Sequence, residues 1–202
     1  EAAGKVYAEW VGQGIRTTQE MFVATVEAQI GPARQHQKQL TKAGDIGTAA
    51  HLALHDWLMG KPVPKVSDEA LVAVMGFQSW WDHAGMKFVR GEQPVYDTEW
   101  GFAGTVDIVA RDAAGYLGIV DLKTSRGIYD DYHLQVAAYI KAARNFDDIR
   151  WGKIVRVPKT LADPEFEVKD LGDCYDRRLT EEQLLTAAKA ALDAWRILKG
   201  VA

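Results

Sequence analysis

The chain has 202 residues, 48% of them hydrophobic and 26% charged, with a formal net charge of −4. That profile excludes disorder as the main state, and a chain of this length buries roughly 70% of its unfolded surface without needing disulfides or structural metals. The lone Cys174 excludes an intramolecular disulfide, an iron–sulfur cluster and a cysteine-rich zinc site, and the acidic balance argues against a protein that coats nucleic acid by charge alone.

The chain opens Glu1-Ala2-Ala3 with no methionine, as a trimmed piece of a longer protein would, and runs into helical pattern from Lys5. Val6, Trp10, Met21, Phe22 and Val26 give partial 3.6-residue spacing, Gly31-Pro32 break it, and a second helix runs through Leu40, Ile46, Ala50 and Leu54. Residues 61–67, with Pro62 and Pro64, form a linker, and Ser67-Asp68-Glu69 open a third helix through Leu71, Val74, Phe77 and Trp81. Three β-rich segments follow at 87–96, 102–110 and 116–123, divided by Gly, Asp and Ala turns, which predicts a three-stranded meander. The pattern then predicts an amphipathic helix over 131–144, a strand over 151–157, a weaker edge strand over 166–168 and a capped helix over 180–198. With no repeats and no low-complexity tract, the expectation is one domain over 1–202: a helical part (1–60), an α/β core (87–170) and a C-terminal helix (180–199). No apolar stretch approaches the roughly 20 residues of a membrane-spanning helix, so no membrane partner and a cytoplasmic location are expected.

The chemistry lies in the second and third β segments. The Asp112–Gly115 turn has its midpoint between 113 and 114, so a regular hairpin sets Asp107 opposite residue 120, or 121 with a one-residue change of register. Asp107 and Asp121 are then approximate cross-strand neighbours, and two carboxylates facing each other in apolar strands are expensive unless a cation joins them. Alternation puts Asp121 and Lys123 on one face and Leu122 on the other. Two carboxylates and an ammonium suit phosphodiester hydrolysis, in which Mg²⁺ or Mn²⁺ polarises the phosphate and lowers the pKa of a bound water. An Asp-x-Lys triplet alone is weak evidence, since solvated strands often carry it; the second aspartate makes the pattern more specific.

Over residues 101–140 the sequence resembles the RecB-like branch of the PD-(D/E)xK nuclease superfamily, in particular the exonucleases of phages and their relatives. "VDIV" and "DLK" resemble that branch's second and third motifs, which implies metal ligation by Asp107 and Asp121 and a catalytic role for Lys123. "GTAAH" resembles the first motif and implies His51 as a metal ligand; the Leu122 carbonyl would be a further one. "QVAAY" resembles the Q-x-x-x-Y signature and implies Gln135 and Tyr139 beside the site, and Glu92 matches an acidic position often seen there. The resemblance covers about residues 44–143 and implies a restriction-endonuclease-like α/β core (helix, three-stranded meander, helix, strand) with added N- and C-terminal helices. It further implies a Mg²⁺- or Mn²⁺-dependent DNA exonuclease of phage-type recombination, repair or processing, in host cytoplasm if phage-encoded. Its substrate would be single-stranded DNA or DNA ends, with a single-strand-annealing or helicase partner, because no GxxxxGK[ST] motor loop is present. The alternatives are a structure-specific endonuclease using the same site, or a non-catalytic DNA-end-binding recombination adaptor; retention of every chemistry-bearing residue speaks against the adaptor.

Read residue by residue, Gln135 and Tyr139 are at i and i+4 and share a helix face able to reach a phosphate or the lysine. His51 and His55 share that spacing, but Leu52 stands where a zinc protease needs Glu, so His55 is read as structural or supporting. Trp80, Trp81 and Trp100 are aromatic candidates for base stacking, Trp81 the more core-like and Trp100 the best placed for substrate. Arg126, Lys141, Arg144, Arg150, Lys153, Arg156 and Lys159 make the following region locally basic, either as a DNA track or as a solvated face.

Overall fold

The computed structural model describes residues 37–157, 166–174 and 177–201. The expectations for 1–36 and for Lys159 lie outside the described residues. In chain order the elements are α1 (Gln37–Leu58), α2 (Asp68–Ala84), β1 (Lys87–Asp97), β2 (Phe102–Arg111), β3 (Leu117–Lys123), α3 (Asp130–Ala143), β4 (Ile149–Arg156), β5 (Glu167–Asp170), β6 (Asp173–Cys174), β7 (Arg177–Arg178) and α4 (Glu181–Lys199). The expected helix, meander, helix and strand are all present, with α4 added at the end. The short β6–β7 ladder was not anticipated, since two-residue strands carry no periodic signal. Among the described residues no helix is long and apolar enough to cross a membrane.

The five-stranded sheet has the order β1-β2-β3-β4-β5. β1, β2 and β3 are antiparallel neighbours, β3 and β4 are parallel with α3 as the crossover, and β5 returns antiparallel. Each face of the sheet buries a helical layer. Ala50 and Leu54 of α1 and Val74 and Phe77 of α2 pack with Ile108, Val120, Leu122 and Val155 on one face; Val136 and Ile140 of α3 and Ala188 of α4 pack with Val109, Ile119 and Ile154 on the other. Both helical layers follow from sequence spacing. α2 buries Ala70, Ala73, Val74, Phe77, Trp80 and Trp81 after a Ser67 cap that accepts from the Ala70 N–H at 3.3 Å. α4 is closed by a capping box in which Thr180 and Gln183 satisfy each other's backbone N–H groups.

The β2–β3 hairpin settles the register. Asp112 N–H donates to the Tyr116 carbonyl at 3.0 Å and Asp112 Oδ1 accepts from Tyr116 N–H at 2.9 Å, leaving a three-residue loop, 113–115. Gly115 closes it at φ +89°, a left-handed conformation that costs glycine little. An odd loop centres the hairpin on residue 114 and pairs Ile108 with Val120, so the one-residue alternative is the one adopted. Continued by one step, that register sets Asp107 opposite Asp121.

Candidate active site

The site forms where β1 and β2 change faces. Gly91 pairs with Ile108 and Gln93 with Val106, yet Ile108 packs toward α1 and α2 while Val106 packs toward α3 and α4. The alternation therefore slips by one at the intervening pair, Glu92 and Asp107. Glu92 absorbs the slip at φ +48°, the one non-glycine residue with positive φ among the described residues, a conformation that costs on the order of 1–3 kcal/mol. Asp107 stands where the β2–β3 pairing ends, and its Oδ2 accepts from the Leu122 N–H at 2.8 Å, taking the place of a ladder carbonyl. Its Oδ1 lies 3.7 Å from His51 Nδ1.

Asp121 and Lys123 project toward α3 and are almost fully buried, 2% and 8% exposed. Their ion pair joins Lys123 Nζ to Asp121 Oδ2 at 2.8 Å. Lys123 also donates to Gln135 Oε1 at 2.9 Å, and Gln135 Nε2 donates to Tyr139 Oη at 3.2 Å. The Tyr132 ring centroid is 4.8 Å from Lys123 Nζ. Desolvation pushes the Asp121 carboxyl up to about 6; Lys123 pulls the other way and the negative charge of Asp107 adds to the rise. Burial works against the Lys123 charge, but Asp121 and Asp107 outweigh it and hold the pKa above its ordinary value, so the lysine is an ammonium at neutral pH. Glu92 is also raised, by burial and then by Asp107, against the opposing pull of His51 and His55.

α1 delivers His51 because it can lie close to the end of β3. A Cβ on Gly47 would stand 2.7 Å from Thr124 Oγ1, so glycine lets that helical turn sit against the residue after Lys123 and places His51, one turn on, beside Asp107. His55 covers Gly91, where an added Cβ would be 2.6 Å from His55 Cδ2; its place is packing beside the Glu92 bend.

The structure thus gathers Asp107, Asp121, Lys123, Gln135 and Tyr139, with His51 and Glu92 adjoining. The Leu122 side chain is buried in the α1–α2 layer, as alternation requires. Gln135 reaches the lysine, as expected, and Tyr139 hydrogen-bonds Gln135, but at 1% and 2% exposure they are not a surface for phosphate. Trp81 is core, as expected, whereas the base-stacking readings of Trp80 and Trp100 are corrected: both are buried, and Trp100 packs on Phe102 and beneath Lys141, because the turn that carries it folds under α3 and α4. In the basic region Lys141 pairs with Asp97 and Glu99, Arg144 with Glu181, Arg150 with Asp148, Lys153 with Asp170 and Arg156 with Glu167, while Arg126 is exposed on the loop after β3. Sequence reasoning missed Tyr132, although it stands at i−3 from Gln135 and i−7 from Tyr139 and so shares their helical face.

The donors suit a hard divalent cation in kind: the carboxylate oxygens of Asp107 and Asp121 with the imidazole of His51. As they stand, no three His, Cys, Asp or Glu groups among the described residues are gathered closely enough to hold an ion; the Lys123 ammonium is the cation beside Asp121.

Fold and site together define a mixed α/β protein with a buried aspartate–lysine centre beside a bent, carboxylate-bearing strand pair. No family model matches the chain, and no curated protein matches it. Among solved structures, an alkaline exonuclease from Laribacter hongkongensis is similar to it with a TM-score of 0.46 and 12% identity, over 89% of this chain and 91% of that one. The protein SSO0001 is similar with a TM-score of 0.38 and 11% identity, over 90% of this chain and 85% of that one.

Proposed function

We propose that this chain is a divalent-metal-dependent deoxyribonuclease of the RecB-like PD-(D/E)xK type, an exonuclease acting on single-stranded DNA or DNA ends in recombination, repair or processing. The observation that carries this reading is the buried Asp121 carboxylate, set across the hairpin from Asp107 and ion-paired to the Lys123 ammonium at 2.8 Å. Two carboxylates beside one ammonium leave a negative charge that a divalent cation would balance. His51, Asp107, Asp121 and the Leu122 carbonyl would hold Mg²⁺ or Mn²⁺, which supplies Lewis acidity and a water acidic enough to attack phosphorus.

The chain's own residues do the rest. Lys123 stays protonated, so it is no general base; it donates to a phosphate oxygen or orients the water and offsets the charge that develops in the transition state. Gln135 accepts from Lys123 and fixes the direction of that donation, and Tyr139 locks the Gln135 amide. The Leu122 N–H holds Asp107 in its orientation. A single-strand-annealing protein or a helicase would supply strand separation.

The test is one assay on linear and covalently closed circular DNA, single- and double-stranded, with Mg²⁺, Mn²⁺ or EDTA. Metal-dependent loss of linear DNA with circles spared is the expected result. Cutting of closed circles would replace the exonuclease by an endonuclease, DNA binding without cleavage would leave the adaptor, and full activity in EDTA would end the metal mechanism.

A further inference from the structure

The loop between Lys123 and α3 brings an exposed aromatic ring to the site. Tyr129 precedes α3 in extended backbone, and its side chain makes no cap hydrogen bond. It is 42% exposed, and its ring meets the Tyr132 ring edge-on, with centroids 5.5 Å apart at 72°. The other side of that contact is the site itself, since Lys123 Nζ lies 4.8 Å from the Tyr132 centroid. The loop is braced from within: Ser125 Oγ donates to the Gly127 carbonyl at 2.7 Å. Other exposed rings stand elsewhere. Tyr116 is at the opposite end of β3 and Phe146 lies beyond the far end of α3, roughly 20 Å away along a 14-residue helix. Phe166 is two strands across, beside the β5 residue that pairs with Arg156.

We propose that Tyr129 is the platform on which an unpaired nucleobase next to the scissile phosphate stacks, so that the site takes a single-stranded or frayed nucleotide. This rests on the nuclease reading above. Two rings in series separate the Tyr129 face from Lys123, which is the scale of one nucleotide between a phosphate and its neighbouring base. Asp130 and Asp131, in the first turn of α3, disfavour a phosphate there and leave the base as the group presented to the ring. Stacking tolerates any base because every base has a π face. Arg126, exposed and in no ion pair among the described residues, is placed on the same loop for the strand's backbone.

The test measures steady-state cleavage of a single-stranded DNA oligonucleotide in Mn²⁺ and, separately, its binding in EDTA by fluorescence of a 2-aminopurine placed beside the scissile position. The proteins are the parent, Tyr129→Ala, Tyr129→Phe and Phe166→Ala. Tyr129→Ala should raise KM and the Kd roughly tenfold or more, with kcat less affected, and abolish the 2-aminopurine quenching; Tyr129→Phe should retain both. The gap between parent and Tyr129→Ala should collapse on an oligonucleotide with an abasic residue at that position. Parent-level KM and quenching in Tyr129→Ala, or a loss carried by Phe166→Ala instead, would overturn the inference while leaving the nuclease intact. Absence of cleavage by the parent in any metal would overturn the nuclease reading itself, and the EDTA binding measurement would still decide for or against the platform.

Discussion

Replacing Asp121 by Asn should stabilise the metal-free protein at neutral pH. Asp121 ionises at about 6 in the fold against an ordinary 3.8, so the native state holds the proton more tightly than the unfolded chain does. A native state that binds more protons loses stability as pH rises, and for this carboxyl the loss begins near pH 4 and is complete above pH 6. About two pKa units at 1.36 kcal/mol each is on the order of 3 kcal/mol. Asn mimics the protonated carboxyl, so the two proteins should be alike near pH 4 and diverge to about that figure, in favour of the variant, by about pH 7.5. Loss of the Lys123 proton in the variant would widen the gap, since it relieves a buried charge. Urea denaturation in EDTA across this range, read as the difference between parent and variant, cancels the other titrating groups. Mn²⁺ at a hundredfold excess over Kd should add about 2.7 kcal/mol to the parent and nearly close the gap, and a thousandfold excess, worth about 4.1 kcal/mol, should reverse the order. A gap independent of pH, or a parent that gains on the variant as pH rises, would refute the account of Asp121 as a desolvated carboxylate awaiting a cation.

Asp121→Ala should lose metal affinity and turnover together, whereas Lys123→Ala should lose turnover and keep metal affinity, because an ammonium donates and does not ligate; calorimetric titration with Mn²⁺ separates them. Ca²⁺ should bind and raise the melting temperature while supporting little cleavage, its looser coordination being poor at activating water. Gly47→Ala should weaken metal binding by lifting α1 from Thr124, and adding Thr124→Ala should restore it, since only the Thr124 Cβ at 3.9 Å then remains near the new methyl group; a double variant no better than the single one would remove the close-approach argument. Gln135→Ala should reduce cleavage and also cost about 1–3 kcal/mol in thermal or urea melts, because it strips a buried ammonium of its acceptor, while Tyr139→Phe should cost about 1 kcal/mol or less.

Much of this site was legible because its residues come as local strings. "DLK" fixes two side chains on one face by alternation alone, and Gln135 and Tyr139 follow from one helical turn. The caps at Ser67 and Thr180 were readable for the same reason, the interaction being three residues long. What failed was burial of groups whose neighbours are distant in sequence. Trp100 reads as a turn residue, and only the packing of α4 makes it core: Arg196 Nη2 donates to its carbonyl at 2.6 Å across 96 positions. The ion pairs of the basic region were hidden for the same reason, since Lys141 finds Asp97 and Arg144 finds Glu181 only once the fold brings them together. Tyr129 went unnoticed because exposure beside a site is a property of the loop's path, which propensity does not encode.

The slip at Glu92 and Asp107 explains why the site stands where it does. A regular hairpin would put Asp107 squarely over Asp121 on the α3 face, and His51, delivered from the α1 face, would have a sheet between it and both carboxylates. Moving the alternation by one residue turns Asp107 out of that position, within 3.7 Å of His51 on one side and bonded to the backbone of Leu122 on the other. The two helical layers can then contribute to one centre. The strained φ of Glu92 is the local cost of that arrangement, and it falls on an acidic residue whose own pKa is raised by Asp107. Glycine at position 92 would relieve the backbone, yet it would also remove the third carboxylate from the row, so the strain and the chemistry are held by the same residue.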